Sequence, residues 1–222
     1  MTTLRSLDAD DLPALLHLHA DVMRALPDPS MFRLFGGAQK FLSDHFGARG
    51  ESLGVFADDR LVGYGALTRP AATDTDNYAR DIGWTPERAG RVALLSAAMV
   101  DPSYRGQGLH PALITMRIAL AAERGVPELL VRASPANGLS RRTLLAHGFV
   151  LVWLGVQAEG SLRHVFWRPT GAAAVQAGQG VPPQQWVAAD DQPGQQALLQ
   201  LGWVGVQARP HDDAIGFAPV TL

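Results

Sequence analysis

Residues 100–110 carry the strongest structural signal in the sequence: Val100-Asp101-Pro102-Ser103-Tyr104-Arg105-Gly106-Gln107-Gly108-Leu109-His110. The apolar run from Arg91 to Val100 predicts a buried strand before the turn, and Pro111 fits the first turn of a helix after it. Glycines expose the backbone, and a helix N-terminus offers unpaired N–H groups and the positive end of its dipole. Arg105 adds a fixed cation. The pattern predicts a phosphate-binding turn.

Other phosphate-binding motifs fit this turn less well. A P-loop ends in Gly-Lys-Ser/Thr, and the only lysine of the chain is Lys40, far from the turn. A dinucleotide fingerprint has three glycines directly after the first strand, whereas this turn lies in mid-chain and lacks the third glycine. A turn that merely connects a strand to a helix remains the structural alternative.

Toward the N-terminus, the sequence predicts a strand, two helical stretches and a hairpin. Residues 4–7 read as a strand, and a helix follows with apolar residues at helical spacing: Leu12, Leu15, Leu16, His19 and Met23. A second helical stretch covers about 31–46, and two strands at 52–56 and 61–67 flank a polar turn. A long polar loop, about 68–89, then leads to the apolar strand.

Toward the C-terminus, strands and helices alternate. Glu128 to Ala133 and 149–156 read as strands around a short helix at 140–147, and 163–168 adds one more strand. Pro135 interrupts the sheet ladder because proline has no N–H to donate. This order indicates an α/β layer.

The tail has its own composition and a faint internal echo. Residues 171–183 are rich in Ala, Gly, Gln and Pro and read as a linker between residues 1–170 and an extension at 184–222. Residues 144–149 resemble 198–203 at a shift of 54 positions. Chance similarity and a degenerate partial duplication that adds strands to the sheet edge both explain this echo. No glycine turn accompanies it, so we expect no second cofactor site.

Composition excludes several classes of function. The formal net charge is -2, which disfavours nucleic acid and anionic membranes as partners. The absence of cysteine removes disulfides, thiolate nucleophiles and cysteine-ligated metals, and the histidines show no metal-binding spacing, so no metal site is expected. No apolar run approaches the roughly 18 residues of a membrane helix. We expect a cytoplasmic protein.

Two motifs together resemble the GNAT-type N-acetyltransferase superfamily. Residues 100–109 are similar to its acetyl-CoA signature, Arg/Gln-x-x-Gly-x-Gly/Ala, and Pro135-Ala136-Asn137, Ser140 and 144–149 resemble its second block. The resemblance covers about residues 3–169. It implies a mixed, mostly antiparallel sheet with helices on both faces, to which the small C-terminal extension is added.

The resemblance also implies roles for individual residues toward acetyl-CoA as co-substrate. Ala98, Met99 and Val100 would offer backbone to the pantetheine arm. Asn137 and Ser140 would lie near the pantetheine or its thiol. The pyrophosphate would be held by the turn itself: Arg105, Gly106, Gln107, Gly108, Leu109 and His110.

The sequence departs from the family pattern at the catalytic positions. His110 stands where glycine or alanine is usual. Leu144 replaces the tyrosine that protonates the leaving thiolate in many members, which leaves Ser140, Tyr104 and Tyr78 as candidate acids. The strand before the turn has no carboxylate to act as base. The acidic residues of the long loop, Asp74, Asp76 and Asp81, are candidates, although solvation of a surface loop is the favoured interpretation.

The sequence thus predicts direct acetyl transfer from acetyl-CoA to an amine of a small-molecule or peptide acceptor. A non-catalytic acyl-CoA-binding module and an unrelated nucleotide-binding α/β protein remain alternatives. Three roles of the tail remain open at this point: it completes the sheet, covers the acceptor cleft or forms a homodimer contact.

Overall fold

A computed structural model describes residues 2–32, 37–157, 160–170 and 180–220, so residues 171–179 of the predicted linker lie outside the described residues. The strands are β1 Thr2–Leu7, β2 Gly50–Ala57, β3 Arg60–Thr68, β4 Val92–Val100, β5 Glu128–Ala133, β6 Val150–Val156, β7 Leu162–Pro169, β8 Gln185–Ala188, β9 Trp203–Arg209 and β10 Ala214–Pro219. The α-helices are α1 Leu12–Arg24, α2 Ala38–Ser43, α3 Pro86–Ala89, α4 Leu109–Glu123, α5 Gly138–Ala146 and α6 Gln192–Gln200.

All described strands form one sheet in the order β1-β2-β3-β4-β5-β7-β6-β9-β10-β8. Neighbouring strands are antiparallel except β4 and β5, which are parallel. The connection between these two strands is α4, as a parallel pair requires a crossover. The predicted fold class, a mixed and mostly antiparallel sheet, is confirmed.

Helices cover both faces of the sheet. Successive residues of a strand point to opposite faces, so neighbouring strand residues belong to different core clusters. Ala93 and Leu95 of β4 belong to a core cluster that contains Ile114 of α4 and Leu144 of α5. Leu94, between them, belongs to a second cluster with Tyr78 and other residues of the segment before β4. A third cluster joins α1 and α2 to β3.

Two predicted segments differ in detail from the structure. The helix expected at 31–46 is reduced to α2, which begins after Gly37, a residue with φ of 86° that interrupts helical backbone. The long loop 68–89 contains a 3-10 turn at Tyr78–Arg80 and α3. Tyr78, Ala79 and Ala89 are buried there, so this segment packs on the sheet.

The C-terminal segment continues the sheet. Leu151 of β6 pairs with Gly205 of β9, and β10 and β8 follow β9 toward the edge. Within the described residues, no helix is long and apolar enough to cross a lipid bilayer.

Candidate active site

The site begins where two parallel strands separate. Pairing between β4 and β5 covers only residues 92–94 with 128–130. Beyond Leu94, β4 pairs with β3 alone, and beyond Leu130, β5 pairs with β7 alone. The two strands therefore leave a gap in the middle of the sheet, open at the end of β4 that leads into the glycine turn.

A β-bulge shapes the β4 side of this gap. Ala66 of β3 pairs with Ser96, but the next partner pair is Gly65 with Ala98, so Ala97 is an extra residue. Its φ is 30°, a value that non-glycine residues rarely adopt. A bulge leaves its extra residue unpaired and redirects the neighbouring backbone. No local sequence signal predicted this bulge.

The glycine turn presents free backbone donors. Gly106 and Gly108 both have φ of 78°, a conformation that only glycine adopts without strain. No hydrogen bond to any described residue uses the N–H groups of Gly106, Gln107 or Gly108. The turn is exposed, and α4 begins directly after Gly108. Free N–H groups at a helix N-terminus are suited to bind an anion.

A buried carboxylate fixes the chain just before this turn. Asp101 is only 1% exposed, and its Oδ1 accepts a hydrogen bond of 2.8 Å from the Ser103 N–H. Its Oδ2 accepts a hydrogen bond from the Arg60 guanidinium. The end of β4 is thereby tied to β3, which holds the turn in a defined position.

A cavity of about 730 Å³ runs from the glycine turn into the gap. Its lining includes all but one of the residues predicted to contact the cofactor: Ala98, Met99, Val100, Arg105, Gly106, Gly108, Leu109, His110, Asn137 and Ser140. Gln107 lies in the turn but not in the lining. The structure brings two distant sequence segments, 98–110 and 137–140, to one cavity.

The second segment is held by a helix cap. The Asn137 side chain accepts a hydrogen bond of 3.0 Å from the Ser140 N–H at the start of α5. Ser134, Thr143 and Leu144 line the cavity beside them. Pro135 follows the end of β5, where the ladder with β7 stops.

The far end of the cavity was not predicted. Side chains from α1, from the segment after it and from α2 form an apolar wall: Val22, Leu26, Pro27, Met31, Phe32 and Phe41. Tyr78, Arg132 and Arg163 also line the cavity, and the Arg132 guanidinium lies 5.0 Å from the centre of the Tyr78 ring. Only the folded sheet brings these residues together, since they are far apart in sequence.

The candidate acids and bases are distributed unevenly. Tyr104 and Ser140 line the cavity, as does Tyr78, and Leu144 is buried at the position of the missing tyrosine. The acidic residues of the long loop do not line it: Asp74 and Asp76 pair with Arg49, and Asp81 accepts a hydrogen bond from Gln157. Among the described lining residues there is no carboxylate.

His110 is a neutral donor at the start of α4. Burial, with smaller contributions from Arg117 and His147, lowers the pKa of His110 to about 4. The imidazole is therefore uncharged at neutral pH and can donate one N–H. At the turn, His110 can therefore offer a hydrogen bond but no charge, whereas Arg105 carries a positive charge.

Comparison with known proteins defines the class. The model of the acetyltransferase (GNAT) family matches residues 12–149, which is more than half of the chain. The protein belongs to the GNAT acetyltransferase family and is an acyltransferase. No curated protein sequence matches the chain significantly.

Solved structures share the fold at low sequence identity. The ribosomal-protein-S18-alanine N-acetyltransferase from Escherichia coli is 20% identical, with a TM-score of 0.57 over 78% of this chain and 96% of that one. A Salmonella typhimurium protein assigned as an acetyltransferase, solved with its cofactor acetyl-CoA, is 15% identical, with a TM-score of 0.57 over 77% and 95%. PaiA N-acetyltransferase from Thermoplasma acidophilum, in complex with coenzyme A, is 14% identical, with a TM-score of 0.52 over 74% and 98%.

Proposed function

We propose that the protein transfers an acetyl group from acetyl-CoA directly to the amine of a small molecule or peptide. The observation that carries this proposal is the continuity of one cavity, from the free N–H groups of the glycine turn into the gap between β4 and β5. The free N–H groups of the turn are suited to bind a pyrophosphate, and a thioester in the gap would lie beside the bulge at Ala97.

The proposed cofactor contacts follow the cavity from its mouth inward. Arg105 and the turn up to His110 hold the pyrophosphate, with Gln107 contributing its backbone N–H. Residues 98–100 offer main-chain groups to the pantetheine arm, and Asn137 and Ser140 lie on the opposite side of the gap. The apolar far end then receives the acceptor.

The proposed reaction needs neither a carboxylate base nor a strong acid in the cavity. The amine nitrogen attacks the thioester carbon and forms a tetrahedral oxyanion; the C–S bond then breaks, the thiolate takes up a proton, and the new amide loses one to water. Orientation of two bound substrates can lower the barrier by roughly 7–11 kcal/mol, and one oxyanion donor by about 3–4 kcal/mol. A thiol with a pKa near 8.5, the cysteine reference value, leaves without a strong acid.

Two hydroxyl groups are the proposed proton donors to the leaving thiolate. Tyr104 and Ser140 both line the cavity, from opposite sides of the gap. A comparison of Tyr104→Phe with Ser140→Ala distinguishes their roles, because loss of the acid lowers kcat, whereas loss of a cofactor contact weakens the affinity for coenzyme A.

Thiol release with a panel of amines tests the proposed function. The panel contains amino acids, a polyamine, an aminoglycoside and a peptide with a free N-terminus, each mixed with protein and acetyl-CoA. We expect release of coenzyme A thiol that depends on at least one amine, with acetylated product confirmed by mass spectrometry. Reactions without amine measure hydrolysis and serve as the control.

The alternative function, a non-catalytic acyl-CoA-binding module, rests on Leu144 at the position of the usual tyrosine and on the absence of a carboxylate among the described lining residues. Tight binding of acetyl-CoA with no thiol release for any amine would establish it. Stabilisation by ATP or NAD but not by coenzyme A would contradict both functions.

A further inference from the structure

A guanidinium lies directly beside the bulge of β4. Arg117 of α4 is 2% exposed, and its hydrogen bonds all go to backbone carbonyls. Nε donates to Leu113 O at 2.9 Å, within the helix. Nη1 donates to Ala66 O, Ser96 O and Ala97 O, at 3.3, 3.2 and 3.4 Å.

These carbonyls surround the extra residue of the bulge. In a trans peptide, the N–H of the following residue points opposite to the carbonyl. Because the carbonyls of Ser96 and Ala97 point toward Arg117, the N–H groups of Ala97 and Ala98 point away from it. Both alanines line the cavity.

We infer that Arg117 is a positioning residue for acetyl transfer, an inference that rests on the proposed function. By holding the carbonyls of Ser96 and Ala97, it fixes the N–H groups of Ala97 and Ala98 in the direction needed to receive the thioester oxygen. Arg117 stabilises a backbone conformation that is strained at Ala97, with φ of 30°. Arg117 also borders the cavity, but all its hydrogen bonds go to backbone carbonyls, so its proposed action is through the backbone.

The neighbouring strand is adapted to this guanidinium. A Cβ atom on Gly65 would lie 2.9 Å from Arg117 Nε and 3.0 Å from its Cζ, closer than side chains tolerate. Gly65 therefore leaves the space that the guanidinium occupies. Burial lowers the pKa of Arg117 to about 10, so the group remains charged at neutral pH.

Substitutions on either side of this contact test the inference. Arg117→Met removes the donors, and Arg117→Lys retains a charge with fewer directional donors. Gly65→Ala displaces the guanidinium from a position that does not itself line the cavity, although Arg117 does. Gly63→Ala is the matched control on the same strand, where an added Cβ would meet Val55 at 3.2 Å.

We expect Arg117→Met and Gly65→Ala to lower kcat threefold to tenfold while KM for acetyl-CoA changes less than twofold, and Arg117→Lys to recover part of the loss. In the native protein, we expect hydrogen bonding to lower the carbonyl stretching frequency of bound ¹³C-labelled acetyl-CoA. In Arg117→Met and Gly65→Ala, this frequency should return toward its value in solution. Arg117→Met leaves three backbone carbonyls without this donor, which is destabilising, so Gly65→Ala is the second test where Arg117→Met does not fold.

An unchanged kcat and carbonyl stretch in folded Arg117→Met or Gly65→Ala would overturn the inference, as would equal losses in Gly63→Ala. If the native protein releases no thiol with any amine, the proposed function fails, whereas the carbonyl stretch still tests the positioning of the thioester.

The C-terminal segment carries a second, independent inference, because it repeats the layout of β5 to β7. Helices α5 and α6 begin at 138 and 192 and end at 146 and 200, a constant shift of 54 positions. Their N-caps obey the same shift: Asn137 accepts from the Ser140 N–H, and Asp191 from the Gly194 N–H.

The strands repeat the same irregularity. The ladder of β6 with β7 skips Val152, and the ladder of β9 with β10 skips Val206, again 54 positions later. In this comparison β8, β9 and β10 correspond to β5, β6 and β7. The sheet order β5-β7-β6 is therefore followed by the equivalent strands in reverse order, β9-β10-β8. The two halves meet where Leu151 pairs with Gly205, which are themselves equivalent positions.

We propose that residues 184–220 are a degenerate second copy of the unit 128–169, related to it by a pseudo-twofold axis at the Leu151–Gly205 pair. This arrangement resembles an isologous interface, in which equivalent elements contact each other across the axis. The repeated part has no counterpart of β4 or the glycine turn among the described residues. The extension would therefore support the first copy without binding coenzyme A itself.

Contacts that cross the axis connect this second copy to the cavity. Arg141, 1% exposed, donates through Nη2 to Asp213 Oδ1 at 2.5 Å, and through Nη1 to Pro135 O at 2.5 Å. Its equivalent Gln195 is also buried and makes a 2.9 Å hydrogen bond to His164 of the first copy. Asp213 thus helps to hold the turn that carries Asn137 and Ser140.

Asp213→Asn tests this support, because it replaces the charge-assisted hydrogen bond to Arg141 with a weaker neutral one. Asparagine also tolerates the left-handed backbone at this position, with φ of 47°. We expect coenzyme A binding, measured by calorimetry, to weaken at least threefold. Asp212→Asn removes the adjacent exposed carboxylate, which pairs with Arg209, and should leave the affinity unchanged. Native affinity in Asp213→Asn would overturn the proposed support; because binding is measured, failure of acetyl transfer does not affect the result.

Discussion

Replacement of Gly108 by alanine is expected to weaken coenzyme A binding at least tenfold. The added methyl group would enter the open space in front of the turn, where no protein atom lies within 4 Å and where the pyrophosphate is proposed to sit. The left-handed backbone, with φ of 78°, also disfavours alanine and would shift the neighbouring N–H groups. A tenfold loss corresponds to about 1.4 kcal/mol of binding free energy.

The opposite end of the same helix provides the matched control. Gly125 has φ of 66°, and a methyl group added there would likewise have no protein atom within 4 Å, but this glycine lies at the C-terminal end of α4. Gly125→Ala should therefore show the same backbone strain, of roughly 1–2 kcal/mol in unfolding free energy, with native affinity. Equal affinities in the two variants by calorimetry would show that the turn does not hold the cofactor.

Replacement of Asp101 by alanine is expected to lower the free energy of unfolding by about 2–3 kcal/mol, because hydrogen bonds to a buried charged group contribute in this range. Asp101 is 1% exposed and binds both the Arg60 guanidinium and the Ser103 N–H. Since Arg60 is half exposed, solvent screens its ion pair with Asp101. The ion pair therefore contributes less to the loss of stability than the hydrogen bond to the Ser103 N–H and the cavity left by the carboxylate.

Urea unfolding measures this loss, with Asp101→Asn as the comparison. Asparagine retains an oxygen for the Ser103 N–H, so we expect a smaller loss than with alanine. Coenzyme A affinity should fall in Asp101→Ala as well, because the chain that enters the glycine turn is released. Native stability in Asp101→Ala would mean that the position of the turn is fixed by other contacts.

The elements predicted correctly are those whose signals are local. Strand β5 was predicted with its observed bounds, from an apolar run that ends before Pro135. The positive φ at Gly106 and Gly108 follows from a tight turn that precedes a helix. Cap residues, prolines and glycines act within a few positions, so a single sequence contains their full signal.

The features that were missed depend on contacts between distant segments. Nothing in the Ala97-Ala98 pair distinguishes a bulge from regular strand, because its geometry is set by Ala66 and Gly65 of β3 and by Arg117 of α4. An arginine on a helix normally indicates a solvated face, and here it is buried. The apolar far end of the cavity is formed only when α1 lies against the sheet.

Amide ¹H–¹⁵N NMR with two ligands tests most directly whether the glycine turn binds the pyrophosphate. Coenzyme A carries this group, whereas pantetheine has the same arm without it. We expect large shifts of the Gly106 to His110 amides with coenzyme A and small ones with pantetheine, while the Ala98 and Met99 amides respond to both. Unperturbed amides at 106–110 in protein saturated with coenzyme A would contradict the assignment of the turn.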